Sequence, residues 1–277
     1  MGPAVRKAAV AGSWYPGTAA AVVAEVEDHL EAAGSVGVPG RLVALISPHA
    51  GLRYSGPVAA YGYSLLRGRA PVTVVLVGPS HHAHFEGVAV WARGAFETPL
   101  GRIPIDEERA AALLREDEAL LDLPAVHRDE HSLEMQLPFL QHLVPGLRLV
   151  PLLMGSQSRE EVAALAGALS RALANEDVLL VASSDLSHYQ PASVAHELDA
   201  VVTKCVEGFD AEGLMRRLET ERGHACGGGA MVAVMKAAGA LGADRATLLR
   251  YATSGDVGER DTRRVVGYLS AALSTSS

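Results

Sequence analysis

Two histidines stand in settings that suit metal ligation. His49 lies in Ser47-Pro48-His49-Ala50-Gly51 and His81 in Gly78-Pro79-Ser80-His81-His82, each just behind a short apolar run, residues 42–46 and 72–77. Imidazole binds iron, copper and zinc well. A lone histidine in such a place more often caps a loop or bonds a backbone carbonyl. Two loops of one design, with a cysteine able to reach them, favour ligation instead. That cysteine is Cys226, followed by Gly227-Gly228-Gly229 and by a buried-helix composition over residues 230–241. A cysteine at a helix start faces the positive end of the dipole, which favours thiolate, the form that binds metal. Metal-free Cys226 is therefore expected to react with thiol reagents before Cys205, which sits in a helical run at 198–209 and reads as a small buried hydrophobe.

A third apolar run, residues 178–182, leads into Ser183-Ser184-Asp185-Leu186-Ser187-His188. His188, placed off the metal, can serve as general acid or base near neutral pH. Asp185 is a further ligand, an orienter of a histidine, or only a cap for the turn. His127-Arg128-Asp129-Glu130-His131 matches the inverted zinc-protease pattern H-x-x-E-H, which works only on a continuous helix. Pro124 just upstream, and Asp129 or Ser132 as N-cap for a helix from Leu133, argue against that helix, so the match is judged accidental. Glu130 and His131 can still line a pocket from a loop, and Tyr54 is counted with them. Trp14 and Tyr15 in Gly12-Ser13-Trp14-Tyr15-Pro16 are either core aromatics or a wall of the pocket. The stretch from Gly78 to His82 lacks the closing glycine of a nucleophile elbow, and there is no G-x-G-x-x-G or Walker sequence to support nucleotide binding.

These residues need a scaffold that brings three loops to one edge. The apolar runs at 42–46, 72–77 and 178–182 read as buried strands, with further strands at 247–252 and 265–269. Helical spacing recurs at 18–33, with Thr18 as cap, and at 58–66, 107–115, 133–142 and 159–173. Alternation of strand, loop and helix implies an α/β fold with a largely parallel central sheet and helices on both faces. Ligands of such sheets bind beyond the carboxyl ends of the strands. Residues 87–105, with Thr98-Pro99-Leu100-Gly101 between alternating runs, read as a hairpin attached to that sheet. No linker or repeat interrupts the chain, so a single domain over residues 1–277, with its core at about 8–270, is expected.

The bulk properties exclude some classes. The net charge is −8, from 32 acidic and 24 basic residues, and the basic ones form no block, which argues against nucleic acid as a partner. The apolar runs are strand-length, so no membrane segment is expected. The stretch behind Arg6 and Lys7 is too short for a signal peptide, and Arg6 spoils a myristoylation pattern. With two cysteines and no export signal, a reducing, cytoplasmic setting is expected.

Six motifs in order, Ser13-Trp14-Tyr15-Pro16, Pro48-His49-Ala50-Gly51, Gly78-Pro79-Ser80-His81, Asp129-Glu130-His131-Ser132-Leu133-Glu134, Ser184-Asp185-Leu186-Ser187-His188 and Cys226-Gly227, together resemble the Memo family. Prokaryotic proteins of this kind look like protein B of the AmmeMemoRadiSam system, which implies radical SAM and AMMECR-type proteins as partners. The family is similar in fold to class III extradiol ring-cleavage dioxygenases, which hold non-haem Fe(II) with two histidines and a glutamate. By that resemblance His49 and His81 match the two histidine ligands, His188 matches the acid/base histidine, and Cys226 stands where the glutamate would be. A thiolate is softer than a carboxylate, which shifts preference toward Cu(I) or zinc and retunes iron. The expectation is a mononuclear metal site, iron or copper with zinc as a third choice, and redox chemistry on an unidentified small molecule or peptide. An extradiol-type dioxygenase and a non-catalytic peptide or phosphotyrosine-binding module are the alternatives.

Overall fold

The computed structural model describes residues 4–70, 72–221, 223–258 and 261–276. Along the chain, β1 (Val5–Arg6) precedes α1 (Ala19–Ala33), β2 (Leu42–Ser47), α2 (Leu52–Tyr63) and β3 (Thr73–Pro79). Short strands follow: β4 (Val88–Val90), β5 (Ala95–Thr98) and β6 (Gly101–Pro104), then α3 (Glu107–Leu114) and β7 (Leu120–Asp122). The middle comprises α4 (Leu137–Leu143), β8 (Arg148–Met154), α5 (Arg159–Ala172), β9 (Val178–Ser183) and β10 (His188–Gln190). The chain then forms α6 (Ala192–Glu207), α7 (Ala211–Thr220), α8 (Gly228–Ala240), β11 (Arg245–Thr253), α9 (Ser254–Val257) and β12 (Val265–Ser274).

The fold is α/β. Among the described residues, nine strands form one mixed sheet in the order β10-β12-β2-β9-β3-β8-β4-β7, with β11 beside β12. Its centre, β2-β9-β3-β8, is parallel as expected, and antiparallel pairings flank it through β12 on one side and β4 on the other. The central strands are apolar between their ends because both faces are covered: Leu45, Ile46, Leu76 and Leu180 are fully buried. α8 packs with α5 and α7 and reaches β2, β3 and β9, while α2 packs with α1 and α4 and reaches β2 and β12. Pairing of Ser47 with Ser183, and of Val77 with Ala182, sets the carboxyl ends of β2, β9 and β3 side by side. That register places the loops of His49, Asp185 and His81 next to one another.

Several expectations are corrected. The 87–105 hairpin does not extend the main sheet. The hairpin is β5 with β6, and β5 pairs on its other edge with β1 in a separate three-stranded sheet, while the segment stays attached to the large sheet through β4 and through a bridge from Ile105 to Leu149 of β8. α2 starts at Leu52 rather than residue 58, running through Gly56-Pro57, two residues that read as breakers. The 133–142 segment opens with a 3-10 turn, Glu134–Gln136, before α4. β12 runs on to Ser274 because β2 and β11 pair along its two edges. β8, a central strand absent from those expected, holds Pro151, a residue usually kept out of such strands. Thr18 occupies the N-cap of α1, but its hydroxyl makes no capping bond.

Candidate functional site

His49 is 2% exposed at the end of β2. Its Nδ1 lies 2.9 Å from Ser183 Oγ, and that hydroxyl donates its one proton to Ser132 O at 2.6 Å. Ser183 therefore accepts from His49, which fixes the proton on Nδ1 and leaves Nε2 with a free lone pair. Gln136 Nε2 donates to the same Ser183 Oγ at 2.8 Å and to Pro48 O at 2.9 Å, and Tyr63 Oη donates to Gln136 Oε1 at 2.6 Å. His49 Nε2 faces Cys226 Sγ at 3.2 Å.

His81 is held in the same manner by a different group. Its Nδ1 is 2.9 Å from Glu130 Oε1, and its backbone N–H donates to Glu130 Oε2. Glu130 is buried, and contacts with His81 and with the Ser132 N–H hold its carboxyl well below the usual carboxylate range. The Nε2 of His81 is left for the cleft. His49, His81 and Cys226 offer ligand atoms that all lie within 4.8 Å of one another. His81, Glu130 and His131 form a second group of the same size, but the Glu130 oxygens there already accept three N–H groups, which is the work of an orienting carboxylate rather than a ligand.

Cys226 precedes Gly227, the N-cap of α8. Its N–H donates to Asp185 O at 3.2 Å, and Gly227 N–H to Ser184 Oγ at 2.9 Å. A Cβ on Gly227 would stand 2.4 Å from Ser183 O, so the close approach of this turn to the β9 loop requires glycine. The expected thiolate in metal-free protein is corrected. Burial, and then the Asp185 carboxylate, push the Cys226 thiol well above the ordinary cysteine range, and burial raises Cys205 as well. Desolvation outweighs the helix dipole here.

Above these three residues opens a cleft of about 750 Å3, whose walls include Trp14, Tyr54, His131, Asp185, His188 and Tyr189. Asp185 Oδ1 accepts from the backbone N–H of His49 at 2.7 Å and of Ala50 at 3.3 Å, so it fixes the histidine loop through the main chain. Burial raises its pKa. His188 Nδ1 donates to Leu186 O at 2.8 Å, which turns Nε2 into the acceptor. His131 stacks on His81 with ring centroids 4.5 Å apart and meets Trp14 at 4.3 Å. Burial lowers its pKa to about 4, and burial lowers that of His49 to about 3, so both rings are neutral at pH 7. Tyr15 does not line the cleft. It is buried, and its hydroxyl donates to Glu134 Oε1 at 2.8 Å. His127 is likewise in the core, on a 3-10 turn (Pro124–His127) apart from His131, with Nε2 against Ala89 O at 3.2 Å. The H-x-x-E-H residues share no helix.

The orienting groups Ser183 and Gln136 were not singled out from sequence, nor was Tyr189, whose φ of 58° and 63% exposure mark it as an unusual residue of the cleft wall. A signal existed only for Ser183, which opens the loop that carries Asp185.

The family model of Memo-like proteins matches residues 6–272. The chain belongs to the Memo family. It is 38% identical over 275 residues to MEMO1 family protein MTH_45 of Methanothermobacter thermautotrophicus, covering 95% of this chain and 98% of that one. A MEMO1 family protein of Thermotoga neapolitana is 36% identical over 283 residues, covering 98% of this chain and all of that one. Among solved structures, the uncharacterised protein JW3007 of Escherichia coli K12 aligns with a TM-score of 0.52 at 18% identity, over 83% of this chain and 99% of that one. That likeness concerns the fold alone. Among the described residues, no helix is long and apolar enough to cross a membrane.

Proposed function

We propose that this Memo-family chain is a cytoplasmic metal-binding protein whose His49, His81 and Cys226 hold one ion, iron or copper, for redox chemistry on a small molecule or peptide taken into the cleft. The observation that carries the reading is the tautomer pattern. Each histidine is tied through Nδ1 to a different partner, Ser183 or Glu130, and each keeps Nε2 for the cleft beside Cys226. Metal-ligating histidines are held in this way by second partners. Two imidazoles and one sulfur suit iron and copper, with zinc as the redox-silent competitor. A bound ion would supply the redox chemistry; the chain supplies orientation, two imidazole ligands and His188 Nε2 as a proton acceptor on the cleft wall. An extradiol-type reaction is a special case of this reading, with His188 as acid/base. Radical SAM and AMMECR-type proteins are proposed as working partners on the family resemblance.

Metal analysis of protein purified without chelators or a histidine tag tests the site. His49→Ala, His81→Ala and Cys226→Ser are each expected to weaken metal binding while leaving the far-ultraviolet dichroism unchanged. Stoichiometric metal at unchanged affinity in any two of them would show that the site lies elsewhere. Oxygen uptake by the Fe(II)-loaded protein with a panel of catechols separates ring cleavage from other redox chemistry.

A further inference from the structure

We infer that Gln157 is the positioning residue that sets Cys226 against His49. The inference rests on the metal-site reading above and deepens it. Gln157 lies in the connection from β8 to α5, and its φ of 55° is in the left-handed region, where a residue with a long side chain is seldom found. Its side-chain amide spans the turn that bears the cysteine. Nε2 donates to Cys226 O at 2.8 Å, and Oε1 accepts from Gly229 N–H at 2.9 Å. One amide thus grips both ends of Cys226-Gly227-Gly228-Gly229.

The β9 loop holds the turn from one side, through Cys226 N–H to Asp185 O and Gly227 N–H to Ser184 Oγ, and Gln157 adds the grip on Cys226 O and Gly229 N–H. Three consecutive glycines have the widest backbone freedom, and Gly227 as N-cap has no side chain with which to cap α8. Gly229 is also fitted to Gln157, since a Cβ there would stand 2.7 Å from Gln157 Cβ. The gripping residue is itself locked in place. Gln157 N–H donates to Glu161 Oε2 at 2.8 Å, and Glu161 Oε1, on the same buried carboxylate, accepts from Gly87 N–H at 2.6 Å and Ser156 Oγ at 2.9 Å. His49 has Ser183, His81 has Glu130, and Cys226 has Gln157, each partner coming from a separate segment.

Gln157→Gly keeps the left-handed backbone at no steric cost and removes the side chain with its amide; Gln157→Asn also tolerates that conformation and keeps an amide, but on a shorter arm that does not span both partners. The probe is cobalt(II), read by titration and by its thiolate-to-metal charge-transfer band, with far-ultraviolet dichroism and Tm alongside. Both variants are expected to bind cobalt about tenfold or more weakly, in the range found for lost orienting partners of metal ligands. The thiolate band per bound cobalt is expected to fall while the dichroism stays that of the wild type. Wild-type affinity with a full thiolate band, or a lower Tm with the band intact, would reduce Gln157 to a structural residue and overturn the inference. Should the wild type itself show no thiolate band, the metal-site reading fails, and alkylation of metal-free protein decides the positioning role. Labelling of Cys226 relative to Cys205 several-fold faster in Gln157→Gly then upholds it, and an unchanged ratio removes it.

Discussion

His81 shows how much of this site is set by a neighbour rather than by the ligand. A buried carboxylate that accepts from both the ring and the backbone of one histidine holds that ring in place and fixes which nitrogen faces the cleft. Glu130→Gln keeps the shape and removes the charge. Its expected effect is a metal affinity lowered by about tenfold to a hundredfold with little change in fold, checked by competition titration against a chelator. An unchanged affinity would mean that His81 does not need Glu130, and that His81 is not a ligand held in this way. The candidate ligands were legible because His49 and His81 directly follow apolar runs and Cys226 precedes a run of glycines. Of their partners Glu130 was, through its place beside His131, but Ser183, Gln136 and Gln157 were not, because they are ordinary polar residues whose value comes from the loops that meet them. Cys226 failed as a thiolate for a related reason: the dipole can be read from sequence, the desolvation cannot.

At the scale of elements, the three strands that end in site loops were legible from their apolar runs, and their parallel register follows from burial on both faces. What failed was local punctuation. Pro57 lies inside α2 and Pro151 inside β8, and in both places packing against neighbours overrides the cost of the missing N–H. The 3-10 turn at Pro124–His127 makes a testable case of its own. His127 is 1% exposed, near Trp91 and Phe96, with Nδ1 unpartnered, and burial lowers its pKa to about 3. The unfolded chain takes up a proton near pH 6.5 that the folded chain refuses until about pH 3. Stability from this residue is thus complete above pH 6.5 and is lost as the pH falls toward 3. His127→Phe, which keeps an aromatic ring in the core, is expected to flatten the fall of unfolding free energy between pH 6 and 4 by roughly one proton, about 1.4 kcal/mol per pH unit. Urea denaturation across that range checks it, and a parallel curve for the variant would show that His127 is protonated in the fold. His49 and His131 act in the same direction, so the variant is not expected to abolish acid sensitivity.

For the molecule as a whole, the anchoring of the small sheet of β1, β5 and β6 bears on the cleft, because Trp14, a wall of the cleft, lies on the segment that leaves β1. Beside the bridge from Ile105, after β6, to Leu149 of β8, the small sheet is held through Arg6, a fully buried arginine of β1. Its guanidinium pairs with Glu134, donates through Nε to His127 O at 3.0 Å, and donates through Nη2 to Glu130 O. Glu134 in turn accepts from Ala9 N–H at 2.8 Å, Val10 N–H at 3.2 Å and the Tyr15 hydroxyl. One ion pair therefore joins the N-terminal segment on both sides of Trp14 to the segment that carries Glu130 and His131. Removing one member of a buried pair leaves the other charged and desolvated, which costs about 3–5 kcal/mol, whereas replacing both by apolar residues of similar volume is far less harmful. Arg6→Met is expected to lower Tm by roughly 10 °C, on the basis of about 2–4 °C per kcal/mol for a chain near this size. The double variant Arg6→Met, Glu134→Leu is expected to recover part of that loss, although the N–H groups of Ala9 and Val10 then lose their acceptor. Scanning calorimetry of the two single variants and the double forms a closed cycle. Additive losses in the double would mean that Arg6 and Glu134 stabilise the fold independently, and that the N-terminal segment is held by something other than this pair.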